Sequence, residues 1–142
     1  MTVYRISAIT LKVKNMEKSC LLYSKIPGFR LTYGGEPSDS FTTFEIGKGS
    51  NAAYLNLELI DDDGSSDFYN GSTLGKMKET QDFGRIIFHV KNVDELYSYM
   101  KHNESISKLV IFENEPANAP WGERFFHIRE PNSYQLSFAQ PL

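Results

Sequence analysis

The strongest constraint on this chain is that it says the same thing twice. Ile9-Thr10-Leu11-Lys12-Val13-Lys14-Asn15-Met16-Glu17 recurs as Ile86-Ile87-Phe88-His89-Val90-Lys91-Asn92-Val93-Asp94. Each copy alternates apolar and polar residues, the pattern of a half-buried strand, and then reaches Asn and an acidic residue where a helical pattern begins. Asn suits an N-cap, and an acidic side chain in the first turn suits the helix dipole. In the second copy Glu95 follows Asn92 as in a capping box, and Val93, Leu96, Tyr97 and Met100 form one apolar stripe. The first helix lines up Met16, Cys20 and Tyr23 and stops near Pro27-Gly28.

The elements after each helix repeat as well. After the first come strand patterns at 29–33, 41–46 and 53–60, punctuated by Gly34-Gly35 and by Gly47 to Asn51; after the second come patterns at 109–113, 123–129 and 134–138. Each half therefore reads βαβββ. The expected organisation is a first module at 1–62, a polar, glycine-bearing linker at 63–82 and a second module at 83–142. The local patterns by themselves define an α+β protein of two mixed layers.

The last two strands form a hairpin. Phe126 and Ile128 alternate with His127 and Arg129, Glu130-Pro131-Asn132-Ser133 makes a reverse turn, and Leu136 and Phe138 alternate with Gln135 and Ser137. With Trp121-Gly122 before it, this hairpin resembles the closing hairpin of the glyoxalase, bleomycin-resistance and dioxygenase superfamily, the vicinal oxygen chelate proteins. Their usual turn is Asp-Pro-Asp-Gly, and Glu130 and Ser133 depart from it. The resemblance extends over nearly the whole chain. It implies two βαβββ modules forming a curved mixed sheet around a cavity, with the helices outside.

Composition narrows the partners. The net charge of −3 with no basic run disfavours phosphate-driven nucleic-acid binding, and no apolar run is long enough to span a membrane. The first residues lack the apolar stretch of a signal peptide, and one cysteine, Cys20, excludes an internal disulfide, so a cytoplasmic protein is expected. The sequons at Asn70 and Asn103 read as chance. Cys20 reads as an inert small hydrophobe, His102 as a helix C-terminal residue, and Asp61-Asp62-Asp63 as solvated linker.

Alternation places Ile9, Leu11, Val13, Leu55, Leu57, Leu59, Ile86, Phe88, Val90, Leu136 and Phe138 under the helices. The opposite faces then carry Ala8, Thr10, Lys12, Tyr54, Asn56, Glu58, Arg85, Ile87, His89, Gln135 and Ser137, with His127 and Arg129 beside them. In metal-dependent relatives the ligands sit on the first and last strand of each half. Matched through the repeat, the resemblance puts those positions at Ala8, Glu58, Arg85 and Ser137. Only Glu58 is a plausible ligand: Ala has no donor, Arg repels a cation and Ser is a poor ligand. The quartet is not intact, and no cofactor is expected. A divalent metal enters only through a slipped site of Glu58, His89 and His127. Arg85 and Glu58 instead suggest an ion pair, or an Arg85 that turns donors toward a ligand.

The expected function is binding of a small anionic or carbonyl-bearing molecule by Tyr54, Asn56, Glu58, Arg85, Ile87, His89, Trp121, His127, Gln135 and Ser137. Trp121, beside Gly122, is expected in a loop capping the cavity. The alternative is a metal-dependent lyase, isomerase or dioxygenase like glyoxalase I, with Glu58, Arg85 and His89 as catalytic candidates. Relatives commonly need two chains to complete a cavity, so a homodimer is expected.

Overall fold

A computed structural model describes residues 1–60 and 84–142. The linker expected at 63–82 and the Asp61-Asp62-Asp63 run lie outside the described residues. The chain divides into two compact units, Met1–Gly71 and Ser72–Leu142.

In the first unit β1 (Ala8–Val13) leads into α1 (Met16–Tyr23), followed by β2 (Phe29–Tyr33), β3 (Phe41–Ile46), a 3-10 turn (Gly49–Asn51) and β4 (Ala53–Leu59). The sheet order is β1-β4-β3-β2, with β1 parallel to β4 and the other pairs antiparallel. Asn15 caps α1, its side chain accepting from the Lys18 N–H at 2.9 Å. Leu11, Val13, Leu55 and Leu57 are buried on one face together with Met16, Cys20, Leu22 and Tyr23 of the helix. Tyr23, Phe29 and Phe44 fill this core with ring centroids 6.0–6.5 Å apart. Cys20 is buried, as its apolar setting suggested. That burial raises its thiol pKa, which fits a packing role rather than a reactive one.

The second unit repeats the plan with additions. β5 (Arg85–His89) precedes α2 (Val93–His102), a short α3 (Glu104–Ser107), β6 (Ile111–Phe112), β7 (Ala117–Ala119), β8 (Glu123–Arg129) and β9 (Gln135–Pro141). The order is β5-β9-β8-β6, with β7 also on β8, and β5 runs parallel to β9. Asn92 caps α2 by accepting from the Glu95 N–H at 3.0 Å. Val93, Leu96 and Met100 are buried, as the stripe requires. His102, at the end of α2, has Nδ1 2.8 Å from the Ser98 carbonyl oxygen.

Three local features differ from the pattern expected from residue periodicity. The second helix ends at His102 as expected, but Asn103 then leaves the helical region and caps an unforeseen α3 by accepting from the Ser105 N–H. The strand expected at 109–113 is cut to two residues. Beyond Glu113, the Asn114 side chain takes the His127 N–H at 2.8 Å in place of a ladder carbonyl, and Pro116 has no N–H to give. Residues 117–119 then rejoin β8 as an unforeseen strand. The closing turn is as expected: Ser133 donates to the Glu130 carbonyl and the Glu130 N–H to that of Tyr134. Ser133 holds φ 70°, the region where relatives place Gly. The buried Glu130 carboxylate accepts from the backbone N–H groups of Asn132 and Tyr134 and from the Asn132 side chain.

Candidate functional site

In each unit one face of the sheet packs under its helix and the other, called the open face, carries most of the polar side chains, Ser137 and Ala139 being buried between their neighbours there. On the open face of the first unit Asn56 accepts from Thr43 Oγ1 at 2.8 Å and donates to Thr10 Oγ1 at 3.2 Å. Tyr54 O–H reaches Glu45 at 3.4 Å, and Glu45 pairs with Arg30 at 3.0 Å. Glu58 pairs with Lys12, its neighbour on β1, at 3.1 Å. That salt bridge is half-exposed on both sides, so it holds the side chain in place more than it stabilises the fold. The ion pair suggested for Glu58 and Arg85 joins residues of different units, and within its own unit each already has another neighbour.

The open face of the second unit holds Arg85, Ile87, His89, His127, Gln135 and Ser137, all named from sequence. The register sets them in rows. Arg85 stands level with Gln135 and Gln135 with Arg129; Ile87, Ser137 and His127 form the next row; His89, Ala139 and Phe125 the third. Along the first row Arg85 Nε donates to Gln135 Oε1 at 2.8 Å, and Gln135 Nε2 donates to Glu113 Oε1 at 2.7 Å. Arg129 Nε closes on the other Glu113 oxygen at 2.9 Å. Burial works to raise the Glu113 pKa, but the hydrogen bonds from Gln135 and Arg129 outweigh it and hold the carboxyl below its ordinary value. The terminal nitrogens of Arg85 make no hydrogen bond among the described residues.

At the other end, His89 Nε2 lies 3.0 Å from Glu123, and Trp121 Nε1 donates to the second Glu123 oxygen at 2.9 Å. The His89 and Trp121 hydrogen bonds keep the Glu123 carboxyl below its ordinary value. Trp121 is 68% exposed in the turn before β8, where Gly122 takes φ 94°, and its ring stacks on Phe125 at 6.1 Å. A loop position was expected for it. Phe125, Glu113, Arg129 and Glu123 belong to this face but were not among the predicted site residues. Phe125 was legible, since it stands two residues from His127 on the same alternating strand.

His127 is the unusual member. Its ring lies 4.8 Å from that of Phe125, and Nδ1 is buried without a hydrogen-bond partner among the described residues. Burial lowers its pKa first; the charge of Arg85 and, less, that of Arg129 lower it further against the opposing pull of Glu113. As pH falls through the ordinary 6.5 of histidine, the unfolded chain takes up this proton before the folded one. The stability owed to neutral His127 is therefore complete above 6.5 and is lost as pH falls toward the lowered value. Glu113 adds a loss of the same sign below its ordinary 4.5. Thermal melts should fall in midpoint between pH 6.5 and 4.5, and His127→Gln should flatten that slope. A midpoint rising with acid over this range would contradict the assignment.

A model of the Glyoxalase/Bleomycin resistance protein/Dioxygenase superfamily matches residues 5–138, so the chain belongs to that superfamily. A comparison with curated proteins returns no match. Among solved structures, one similar to the chain is the hypothetical protein SA1046 from S. aureus, with TM-score 0.64, 17% identity and 99% of each chain covered. A glyoxalase/bleomycin resistance protein/dioxygenase family enzyme from Burkholderia phytofirmans PsJN has TM-score 0.66 and 14% identity, with 96% of this chain and 98% of that one covered. TioX from Micromonospora sp. ML1 has TM-score 0.63 and 15% identity, with 98% and 100% covered. Likeness at these identities carries the fold and not the activity.

The register shows which first-unit residue is equivalent to Ser137. Ser137 lies two residues beyond Gln135, the partner of Arg85; the equivalent residue in the first unit lies two beyond Tyr54, the partner of Ala8. That residue is Asn56, not Glu58, which stands level with Lys12. Read by register, the positions that the resemblance matches are Ala8 and Asn56 in the first unit and Arg85 and Ser137 in the second, without a carboxylate or imidazole. Asn56 is already bonded on both sides by threonines. Taken one by one, these residues do not fit a zinc, nickel, iron or manganese ion, whose usual protein donors are carboxylate, imidazole or thiolate. No group of three or more His, Cys, Asp or Glu able to hold a metal ion occurs among the described residues, and the slipped set of Glu58, His89 and His127 gains no support.

Proposed function

We propose that the protein binds a small anionic or carbonyl-bearing molecule through Arg85 on the open face of the second sheet, without a metal. The single observation that carries this reading is Arg85 itself. The repeat matches it to the first-strand position where metal-dependent relatives place a ligand, it is exposed, and Gln135 holds its Nε so that the rest of the fork, unbonded among the described residues, is aimed to donate. A guanidinium supplies fixed positive charge and directed donors, and can orient two oxygens. It has no open coordination position and cannot lower the pKa of a bound water, so binding is better supported than isomerisation or ring cleavage. Ile87, Trp121 and Phe125 supply apolar surface nearby.

Elemental analysis of protein purified without added metal tests this reading. The expected result is well below one equivalent of zinc, nickel, iron or manganese, with an organic molecule found by native mass spectrometry. Near-stoichiometric metal that is lost in Asn56→Ala or Ser137→Ala would overturn it. We further propose a homodimer, because β1 and β5 each end their sheet in their own unit and an unpaired edge calls for cover. Sedimentation at tens of micromolar should give twice the chain mass, and a monomer would count against it. No described helix is long and apolar enough to cross a membrane; a cytoplasmic protein remains the proposal.

A further inference from the structure

We propose that the ligand of the second sheet is a monocarboxylate with a flat apolar body, its carboxylate taken by Arg85 and Arg129 and its body laid toward Phe125 and Trp121. This rests on the small-molecule reading above and narrows it to a chemical class and an orientation.

Charge sets the class. Arg85 and Arg129 stand in one row across β5, β9 and β8, and Glu113 is the acidic group bonded into that row among the described residues; Arg129 gives Nε to Glu113 and Nη1 to the Ser133 carbonyl, so it adds its charge and its remaining Nη2. Among the described residues, two guanidinium charges against one carboxylate leave one positive charge, which one negative charge balances and a phosphate dianion exceeds. His127 stands in the next row, beside these charges. It is faced by Arg85 from β5, by Ser137 from β9, by Glu113 after β6, and by Arg129 and Phe125 on its own strand. Burial first, and then Arg85 with Arg129 against Glu113, hold its pKa below the ordinary value.

Direction along the strand sets the orientation. Arg129, His127 and Phe125 share one face of β8, and Trp121 stacks on Phe125. The surface therefore changes from cationic to aromatic over about 13 Å at the usual rise of a strand. Beyond Phe125 lies Glu123, already engaged by His89 and Trp121. An anionic head is repelled at that end and attracted at the other. Exposed apolar surface is present where the body would lie: Ile87 is 56% exposed and Trp121 68%.

The test is an NMR titration of the intact chain with 2-naphthoate, its methyl ester and 2-naphthyl phosphate, following the His127 ring and the backbone amides. Naphthoate should bind about ten- to a hundredfold tighter than the ester. It should also raise the His127 pKa, because a bound anion cancels the field of the guanidinium groups, whereas an apolar occupant only buries the ring and lowers it further. Trp121→Ala should weaken naphthoate while leaving the His127 response in place. Equal binding of ester and acid, tighter binding of the phosphate, or no binding of naphthoate would each overturn the monocarboxylate assignment. If naphthoate fails while some other ligand still depends on Arg85, only this narrower class falls. If no ligand depends on Arg85, the proposed function falls with it.

Discussion

Phe126→Ala should destabilise the second unit by about 3–5 kcal/mol, the usual cost of removing a fully buried aromatic ring. Phe126 has no exposed surface. Its ring meets Tyr97 edge-on at 5.2 Å, Phe138 at 5.3 Å and Phe112 at 6.5 Å, so the deletion opens a space that three rigid rings cannot collapse into. Total stabilities run to about 5–15 kcal/mol, so the loss is a large share of what holds the unit together. Urea denaturation should show a much lower midpoint. Ile87→Ala, on the open face of the same sheet, should stay within about 0.5 kcal/mol of wild type. Equal effects of the two substitutions would mean that the sheet's covered and open faces have been confused. The comparison also bears on function, since Phe126 and His127 are neighbours on β8 and the position of one depends on the packing of the other.

Arg85→Met should weaken ligand binding by about ten- to a hundredfold, the equivalent of losing a charged hydrogen bond worth about 1.5–3 kcal/mol. Met keeps much of the apolar stem and removes the fork, so the loss reports donors and charge rather than packing. Gln135 loses one partner in the variant but keeps Glu113, so the row does not collapse. The lost cation should also let the His127 pKa rise toward its ordinary value, which gives a check that needs no ligand. Calorimetry with the tightest binder from a metabolite screen measures the affinity. Unchanged binding by a normally folded variant would make Arg85 only a partner of Gln135.

The covered and open faces were legible because alternation has a period of two and the glycines punctuate it. β2, β3 and β8 begin and end where the pattern does. The caps at Asn15 and Asn92 were legible for the same local reason. Level along a strand was not. Alternation puts Asn56 and Glu58 on one face alike, and only the pairing of β1 with β4 decides which of them answers to Ser137. Long-range partners were hidden too: nothing local in the sequence joins Arg85 to Gln135 or Glu113 to Arg129. The short α3 after Asn103 and the strand at 117–119 depend on side chains completing backbone bonds, which residue periodicity does not report.

If a guanidinium, and not a metal, meets the ligand on the second sheet, affinity should be indifferent to metal. The deciding measurement is calorimetric titration of the intact protein with its tightest ligand, after exhaustive chelation and again after adding zinc, nickel, iron(II) or manganese. One affinity is expected under all five conditions, sensitive to Arg85→Met in each. Binding that vanishes on chelation and returns with one of the metals would contradict the assignment of Arg85 as the anchor.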